Sequence, residues 1–427
     1  MLPRSVSAIT GFITSVLIAR GLGPSEFGEY SLVLSISILA TSLSDLGIGQ
    51  TAIRYASRSA DQGDAEGQFA VLRWAFRLRI VLVLIVTAVF YAIAPLLGTK
   101  LWRINGITPL LRLGLISGIF SALSALPIVY FQSLKRFGMN AAILVVQATI
   151  SFIGILVLAW LNRWSVSLVI IASLVAAGIG SSIFLFLVPK AALFQTSRLK
   201  RTSIIDGLSF WQSPVLHWDR RDALDDINTN RFALFMLLSS IITMFIESAG
   251  LWMMGVLLDQ REIGIYSAAL RFTLPLTIIL NAVNIAFWPR ISTLTALGDK
   301  VNILRKSLRL SLLLAIGSLF YAIVAPLFAP WLLGTQYTDS VLLGQVLCIR
   351  YCLAILIFPA GVVGYSFGLV RVYWLLNLAQ LIAVVIINIL LLPVYGPIGS
   401  AIALIVPEIM SIGIVGVIIW KKISHVE

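Results

Sequence analysis

The sequence predicts an all-α polytopic membrane protein of about 12 transmembrane helices, in two six-helix bundles related by a parallel internal repeat. Three observations predict it. Of 427 residues, 59% are hydrophobic and 11% charged, where a soluble domain carries about 45–50% and about 25%. Apolar stretches of roughly 17–25 residues, the length of a helix that crosses a bilayer core, recur along the whole chain. A single offset of 236 residues lays the second half on the first. Together these exclude a soluble enzyme, a disordered tail and a fibrous protein.

The first six stretches read at about 5–22, 30–53, 80–98, 108–131, 139–161 and 167–188. The second six read at about 232–258, 264–288, 309–333, 340–366, 372–393 and 398–420. This predicts an N-terminal bundle over 1–189, a cytoplasmic linker over 190–231 and a C-terminal bundle over 232–427. The linker holds TrpAspArgArgAspAlaLeuAspAsp at 218–226 and reads as a regulatory or lipid-surface segment, or as a solvated connection.

The net charge of +13 would ordinarily raise nucleic-acid binding. Here Lys and Arg sit between apolar runs rather than in one patch, so they orient the chain in a membrane and predict no nucleic-acid partner. Short cytoplasmic loops carry the excess of Lys and Arg. With both termini inside, the inner segments hold most of the basic residues, among them Arg54, Arg58, Arg73, Arg77, Arg79, Lys135 and Arg136. Arg20, Lys100, Arg103, Arg112, Arg163, Arg261, Arg271 and Arg350 are left to outer loops and spans. The expectation is a multi-pass protein of the cell's inner (plasma) membrane, bathed in its lipids.

Under the 236-residue offset, Leu22, Glu26, Gly28, Tyr30, Ser31 and Leu34 fall on Leu258, Glu262, Gly264, Tyr266, Ser267 and Leu270. Leu96-Leu97-Gly98-Thr99 falls on Leu332-Leu333-Gly334-Thr335, and Phe131 and Lys135 fall on Phe367 and Arg371. The opening segment, which mimics a signal peptide with Arg4 as its basic flank, therefore matches 241–258 and reads as part of the mature protein. Six spans per unit make the repeat parallel, a transporter architecture with substrate between the halves.

Enzyme signatures are lacking. The sequence has no phosphate-loop Gly-Lys spacing, no HExxH, no GxSxG and no CxxC, so neither a catalytic residue nor a cofactor is expected. Cys348 and Cys352 lie four apart in an apolar run and read as small buried thiols; His217 and His425 lie far apart, so no metal site is expected. Asp222, Asp225 and Asp226, and Asp61 and Asp64, read as solvated surface.

What remains is ionisable residues within spans, each costing about 2.5–3.5 kcal/mol at a helix centre: Asp45, Arg112, Glu247, Arg271, Arg350 and Glu408. Counting about 1.5 Å per residue from the turn near 259–262 puts Glu247 and Arg271 at similar depth on adjacent spans, so they read as a structural ion pair. Arg350 has no carboxylate near it in sequence. Arg112, Arg271 and Arg350 suit an anionic substrate group, because guanidinium forks match phosphate oxygens; Arg112 alternatively snorkels to a helix end. Glu247, Asp45 and Glu408 read as ion-coupling residues or structural partners.

Pro127, Pro275, Pro326, Pro359 and Pro407 interrupt spans as kinks or hinges. Ser173, Ala177 and Ser181, with Gly178 and Ser182, read as helix-packing positions. Trp102, Trp160, Trp164, Trp288 and Trp331 read as interfacial anchors.

The run Ala19-Arg20-Gly21-Leu22-Gly23-Pro24-Ser25-Glu26-Phe27-Gly28-Glu29-Tyr30, with Ser44-Asp45-Leu46-Gly47-Ile48-Gly49, resembles the first two spans of polysaccharide transporters. These are the O-antigen flippases of the multidrug/oligosaccharidyl-lipid/polysaccharide (MOP) superfamily. Glu262-Ile263-Gly264-Ile265-Tyr266-Ser267-Ala268-Ala269 and Pro289-Arg290-Ile291-Ser292 look like the same family's second half. The resemblance implies two six-helix bundles in a V around a central cavity, working by alternating access. It implies an ion-driven flippase that moves a polyprenyl-pyrophosphate-linked oligosaccharide to the outer leaflet, with a polysaccharide polymerase or other synthesis protein as a further partner. The alternatives are an exporter of amphipathic cations and a non-transporting subunit of a polysaccharide-synthesis complex.

Overall fold

The computed structural model describes residues 2–189, 223–281, 283, 297–366 and 370–424. Most of the 190–231 linker, the Pro289–Ser292 run, Trp288 and the repeat position Phe367 lie outside them. Among the described residues the chain is helical, with no strand. Among the described residues, ten helices are long and apolar enough to cross a membrane, or eleven if the bent pair Gln260–Arg271 and Leu274–Asn281 is one span.

The first of these, α1 (Leu2–Asp45), has 44 residues. At about 1.5 Å per residue it is roughly twice as long as one crossing needs. It is two helical segments meeting at Gly23, whose φ of 75° is left-handed and suits a residue without a Cβ. The predicted passes at 5–22 and 30–53 lie on either side of that break.

The chain divides into two compact units, Met1–Ile18 with Val33–Asn230, and Ala19–Leu32 with Arg231–Glu427. In the first, α1 is followed by α2 (Ile48–Asp61), α3 (Ala65–Pro95), a π-helical turn (Leu96–Leu101), α4 (Ile107–Ser133), α5 (Phe137–Trp160) and α6 (Val166–Leu185). The long helices are apolar on all sides, as lipid demands, and α3 exposes Leu84, Ile85 and Val89. By contrast α2 is amphipathic: Ile48, Ala52 and Ala56 recur every four residues and are buried, against Leu72, Ala75 and Val129 of α3 and α4. Asp64 caps α3, its carboxylate accepting from the Gly67 N–H at 2.9 Å. Asp61 pairs with exposed Lys135 at 2.7 Å. Gly114 of α4 comes so close to α1 that a Cβ there would lie 2.5 Å from Val33. The Ser181 hydroxyl of α6 donates to the Ala177 carbonyl one turn back and lies 3.4 Å from the Phe120 carbonyl of α4, so this small residue sits where the two helices pack.

The second unit holds α7 (Ala223–Leu257) from Arg231 onward, α8 (Gln260–Arg271), α9 (Leu274–Asn281), α10 (Leu297–Val324), α11 (Ala329–Leu333), α12 (Ser340–Ser366), α13 (Val370–Tyr395), α14 (Pro397–Ala403) and α15 (Val406–Ser424). Ala19–Leu32 crosses α8 with backbone against backbone. A Cβ on Gly28 would lie 2.1 Å from the Gln260 carbonyl oxygen, and one on Gly264 would lie 1.8 Å from that of Pro24. The contact is reciprocal: Pro24 and Gly28 stand to Gln260 and Gly264 at the same offset as the sequence matches. Pro24 has no N–H, so the Arg20 carbonyl loses its helical donor at the break, and the adjacent Ala19 carbonyl accepts from the Tyr337 hydroxyl at 2.7 Å. Burial pushes the Tyr337 hydroxyl pKa up, so it stays protonated and keeps donating.

Of the five prolines read as interruptions, Pro127 and Pro359 sit inside continuous helices. Pro275 lies at the 42° bend, Pro326 in the 3-10 turn Ala325–Phe328 and Pro407 in the first turn of α15. Trp160 and Trp331 are exposed, 84% and 77%, as anchors should be; Trp102 is 5% exposed and is packed core instead. Both cysteines are free and buried.

Candidate functional site

Three spans of the second unit bring charges together. Arg350 of α12 is buried and forks onto Glu247 of α7. Its Nη1 donates to Oε2 at 2.8 Å and its Nη2 to Oε1. Its Nε donates to Glu408 Oε1, on the first turn of α15, at 3.3 Å. The guanidinium also lies 5.3 Å from the Tyr351 ring centroid. Arg350 is thus not the unpaired cation its sequence surroundings suggest. Its partners stand 103 and 58 residues away. The Glu247 side chain keeps 41% of its surface exposed and that of Glu408 15%. With all three ionised, two carboxylates against one guanidinium leave a net negative charge.

The Glu247–Arg271 pair expected from depth is replaced by Glu247–Arg350, because rotation about the helix axis, not depth alone, decides which side chains meet. Arg271, the last residue of α8, lies over the Phe27 ring with its Cζ 5.5 Å from the centroid, a cation–π distance. Its Nε is buried with no hydrogen-bond partner, and among the described residues Arg271 has no carboxylate partner.

In the first unit, Asp45 pairs with Arg79 Nη1 of α3 and also accepts from the Gly49 N–H at 3.3 Å. Arg79, assigned to a cytoplasmic loop by its place between spans, is buried on a helix that starts fourteen residues earlier, at Ala65. Arg112 stacks on Tyr91, Cζ to centroid 4.6 Å, and no carboxylate partner is found for it among the described residues. The structure therefore places Arg350, Glu247 and Glu408 in one cluster. Asp45 and Arg112 belong to the other unit.

Sequence reasoning missed the polar atoms around that cluster. Tyr266, fully buried, lies within electrostatic reach of Glu247 and Arg350. Asn388 Oδ1 is buried without a hydrogen-bond partner among the described residues, and both it and the buried Ser400 hydroxyl lie near Gly250, one turn on from Glu247. Gln380, also buried, is satisfied by the Pro407 carbonyl and the Ser411 hydroxyl, each at 2.8 Å. Neutral polar residues deep in apolar spans were the available signal.

The profile of the family described as polysaccharide biosynthesis protein matches residues 1–216, just over half the chain. The chain belongs to the polysaccharide biosynthesis protein family. Its fold is that of the MOP superfamily. It superposes on an inward-facing multidrug resistance MATE family transporter with a TM-score of 0.70 at 14% identity, covering 98% of this chain and 95% of that one. It superposes on the lipid II flippase MurJ, inward closed, with a TM-score of 0.68 at 16% identity, covering 97% and 86%. A MATE structure in the bent conformation gives a TM-score of 0.58 at 16% identity, over 100% and 93%. At these identities the likeness is one of fold alone. No curated protein matches the sequence. The family member is a multi-pass helical membrane protein.

Proposed function

We propose that this protein flips a polyprenyl-pyrophosphate-linked oligosaccharide from the cytoplasmic to the outer leaflet of the inner membrane, for O-antigen, capsule or exopolysaccharide synthesis. Both termini are then cytoplasmic, the six-helix bundles over 1–189 and 232–427 work by alternating access, and the chain itself catalyses no bond-making. Arg271 carries the reading: it is half-buried, with its Nε shielded and without a hydrogen-bond partner, an aromatic face beneath its guanidinium and no carboxylate among the described residues. A pyrophosphate oxygen is a fitting partner for such a donor. Arg112, stacked and without a carboxylate in the same sense, is a second contact. Arg350, already forked onto Glu247, holds the acids in place.

The surplus acid is the coupling element. Arg350 uses both Glu247 oxygens but only one of Glu408, through its longest bond, so a proton or sodium ion adds at Glu408. Asp45, gripped by Arg79, is a structural partner.

The test uses proteoliposomes with a fluorescent polyprenyl-pyrophosphate oligosaccharide, reading the label that becomes accessible to an impermeant quencher. Folded Arg271→Ala is expected to flip about tenfold more slowly, since hydrogen bonds to charged groups contribute about 1.5–3 kcal/mol. Wild-type rates in Arg271→Ala would remove the anion site. Glu408→Gln is expected to keep its fold and lose the acceleration that an imposed proton or sodium gradient gives the wild type. A Glu408→Gln protein that still responds to the gradient places coupling elsewhere.

The surplus carboxylate also favours a second reading, an exporter of amphipathic cations. Transport of such a cation by the same vesicles, with no lipid flipping, selects it.

A further inference from the structure

The bend that ends α8 is held from two neighbouring spans, and it stands directly beside Arg271. Pro275 has no N–H, so the Arg271 carbonyl loses its helical donor, and residues 272–273 form a turn between Gln260–Arg271 and Leu274–Asn281. Local bonds satisfy part of the break: the Phe272 N–H donates to Ala269 at 3.1 Å, and the Thr273 hydroxyl to Leu270 at 2.7 Å. The Phe272 carbonyl is taken by residues from elsewhere. The Tyr321 hydroxyl of α10 donates to it at 2.9 Å and the Cys348 thiol of α12 at 3.6 Å. Tyr321 is half-buried in the apolar C-terminal end of α10 and Cys348 is fully buried.

We propose that Tyr321, assisted by Cys348, is a positioning residue that pins the Phe272 carbonyl and so fixes the direction in which Arg271 leaves the end of α8. This rests on the reading of Arg271 as the pyrophosphate contact and names the residue through which its geometry is set. Adjacency and stiffness connect the two residues. A cation–π contact at 5.5 Å sets how far the ring lies from the guanidinium but holds its rotation weakly. The peptide plane that follows Phe272, locked by a hydroxyl, holds the backbone next to Arg271 and so limits how the end of α8 and the side chain it carries can turn. Losing the hydroxyl frees a carbonyl in an apolar setting, and the bend then relaxes toward a straighter helix.

The experiment measures binding of farnesyl pyrophosphate, with farnesol as the uncharged control, to the detergent-solubilised full chain by calorimetry. Wild type, Tyr321→Phe, Arg271→Ala and the double variant are compared, with thermal unfolding recorded for each. Tyr321→Phe is expected to weaken pyrophosphate binding several-fold and leave farnesol binding unchanged. Arg271→Ala is expected to weaken it about tenfold, and the double variant to be no weaker than Arg271→Ala, because Tyr321 acts only through Arg271. Full additivity in the double variant, or equal losses for farnesol and farnesyl pyrophosphate in Tyr321→Phe, overturns the positioning role and leaves Arg271 as the contact. Unchanged binding in Arg271→Ala overturns the contact itself and the positioning role with it. A general loss of stability moves both ligands together and is read apart by that pattern.

Discussion

Arg350→Ala is expected to lower stability by about 2–4 kcal/mol. Removing one partner of a fully buried ion pair costs about 3–5 kcal/mol, because the other charge stays behind. Here two carboxylates stay behind, but the Glu247 side chain is 41% exposed and water relieves part of the penalty. Arg350→Lys is expected to recover little, since an ammonium cannot fork onto both Glu247 oxygens while reaching Glu408. The check is a set of thermal and denaturant unfolding curves in detergent for Arg350→Ala, alone and with Glu247→Gln and Glu408→Gln. The added neutral side chains should return much of the loss, because they remove the stranded charges. A loss below about 1 kcal/mol for Arg350→Ala, the scale of a surface ion pair, would show that the cluster is not the electrostatic centre of the unit.

Gly264→Ala and Gly28→Ala are the substitutions expected to damage the fold most. The added methyl would stand 1.8 Å from the Pro24 carbonyl oxygen in one case and 2.1 Å from that of Gln260 in the other. Both obstacles are backbone, so no rotamer change makes room and the two helices must separate. Overpacking of this kind costs about 1–3 kcal/mol and occasionally more, and these two belong at the upper end. The two methyls enter the same crossing, so the double variant should be less harmful than the two losses added. Gly413→Ala in α15, where nothing lies within 4 Å, is the control and should be neutral or gain about 0.5–1 kcal/mol from helix propensity. Yields of monodisperse protein and melting temperatures decide the matter. Gly264→Ala melting with the wild type would mean the crossing is looser than described.

The helical stretches and the family are legible in the residues, and the reason is the solvent. A lipid core admits only helices of about 20 apolar residues or closed barrels, so span and loop separate along the chain without reference to packing. The motif from Ala19 to Tyr30 carries its meaning locally too. Its Gly23-Pro24 pair breaks α1, and Gly28 is needed for the contact with Gly264. The candidate site was legible only as a set of residue types. Glu247, Arg350 and Glu408 all stand out as ions in apolar spans, but their pairing does not. Depth alone pointed to Arg271 for Glu247, and linear spacing placed Arg79 in a loop away from Asp45. Trp102 looks like an anchor by position and is buried.

The medium, the all-helical class, the approximate spans and the family are written in the residues, because each follows from composition or from neighbours close along the chain. The grip of two acids on Arg350 and the aromatic ring beneath Arg271 are products of tertiary packing. So are the Tyr337 and Tyr321 hydroxyls that donate to carbonyls beside two helix breaks. Those contacts join residues 49 to 318 positions apart. They depend on how far each helix is rotated about its axis and on where its breaks fall, and a rotation of 100° per residue lets small errors in register exchange one partner for another.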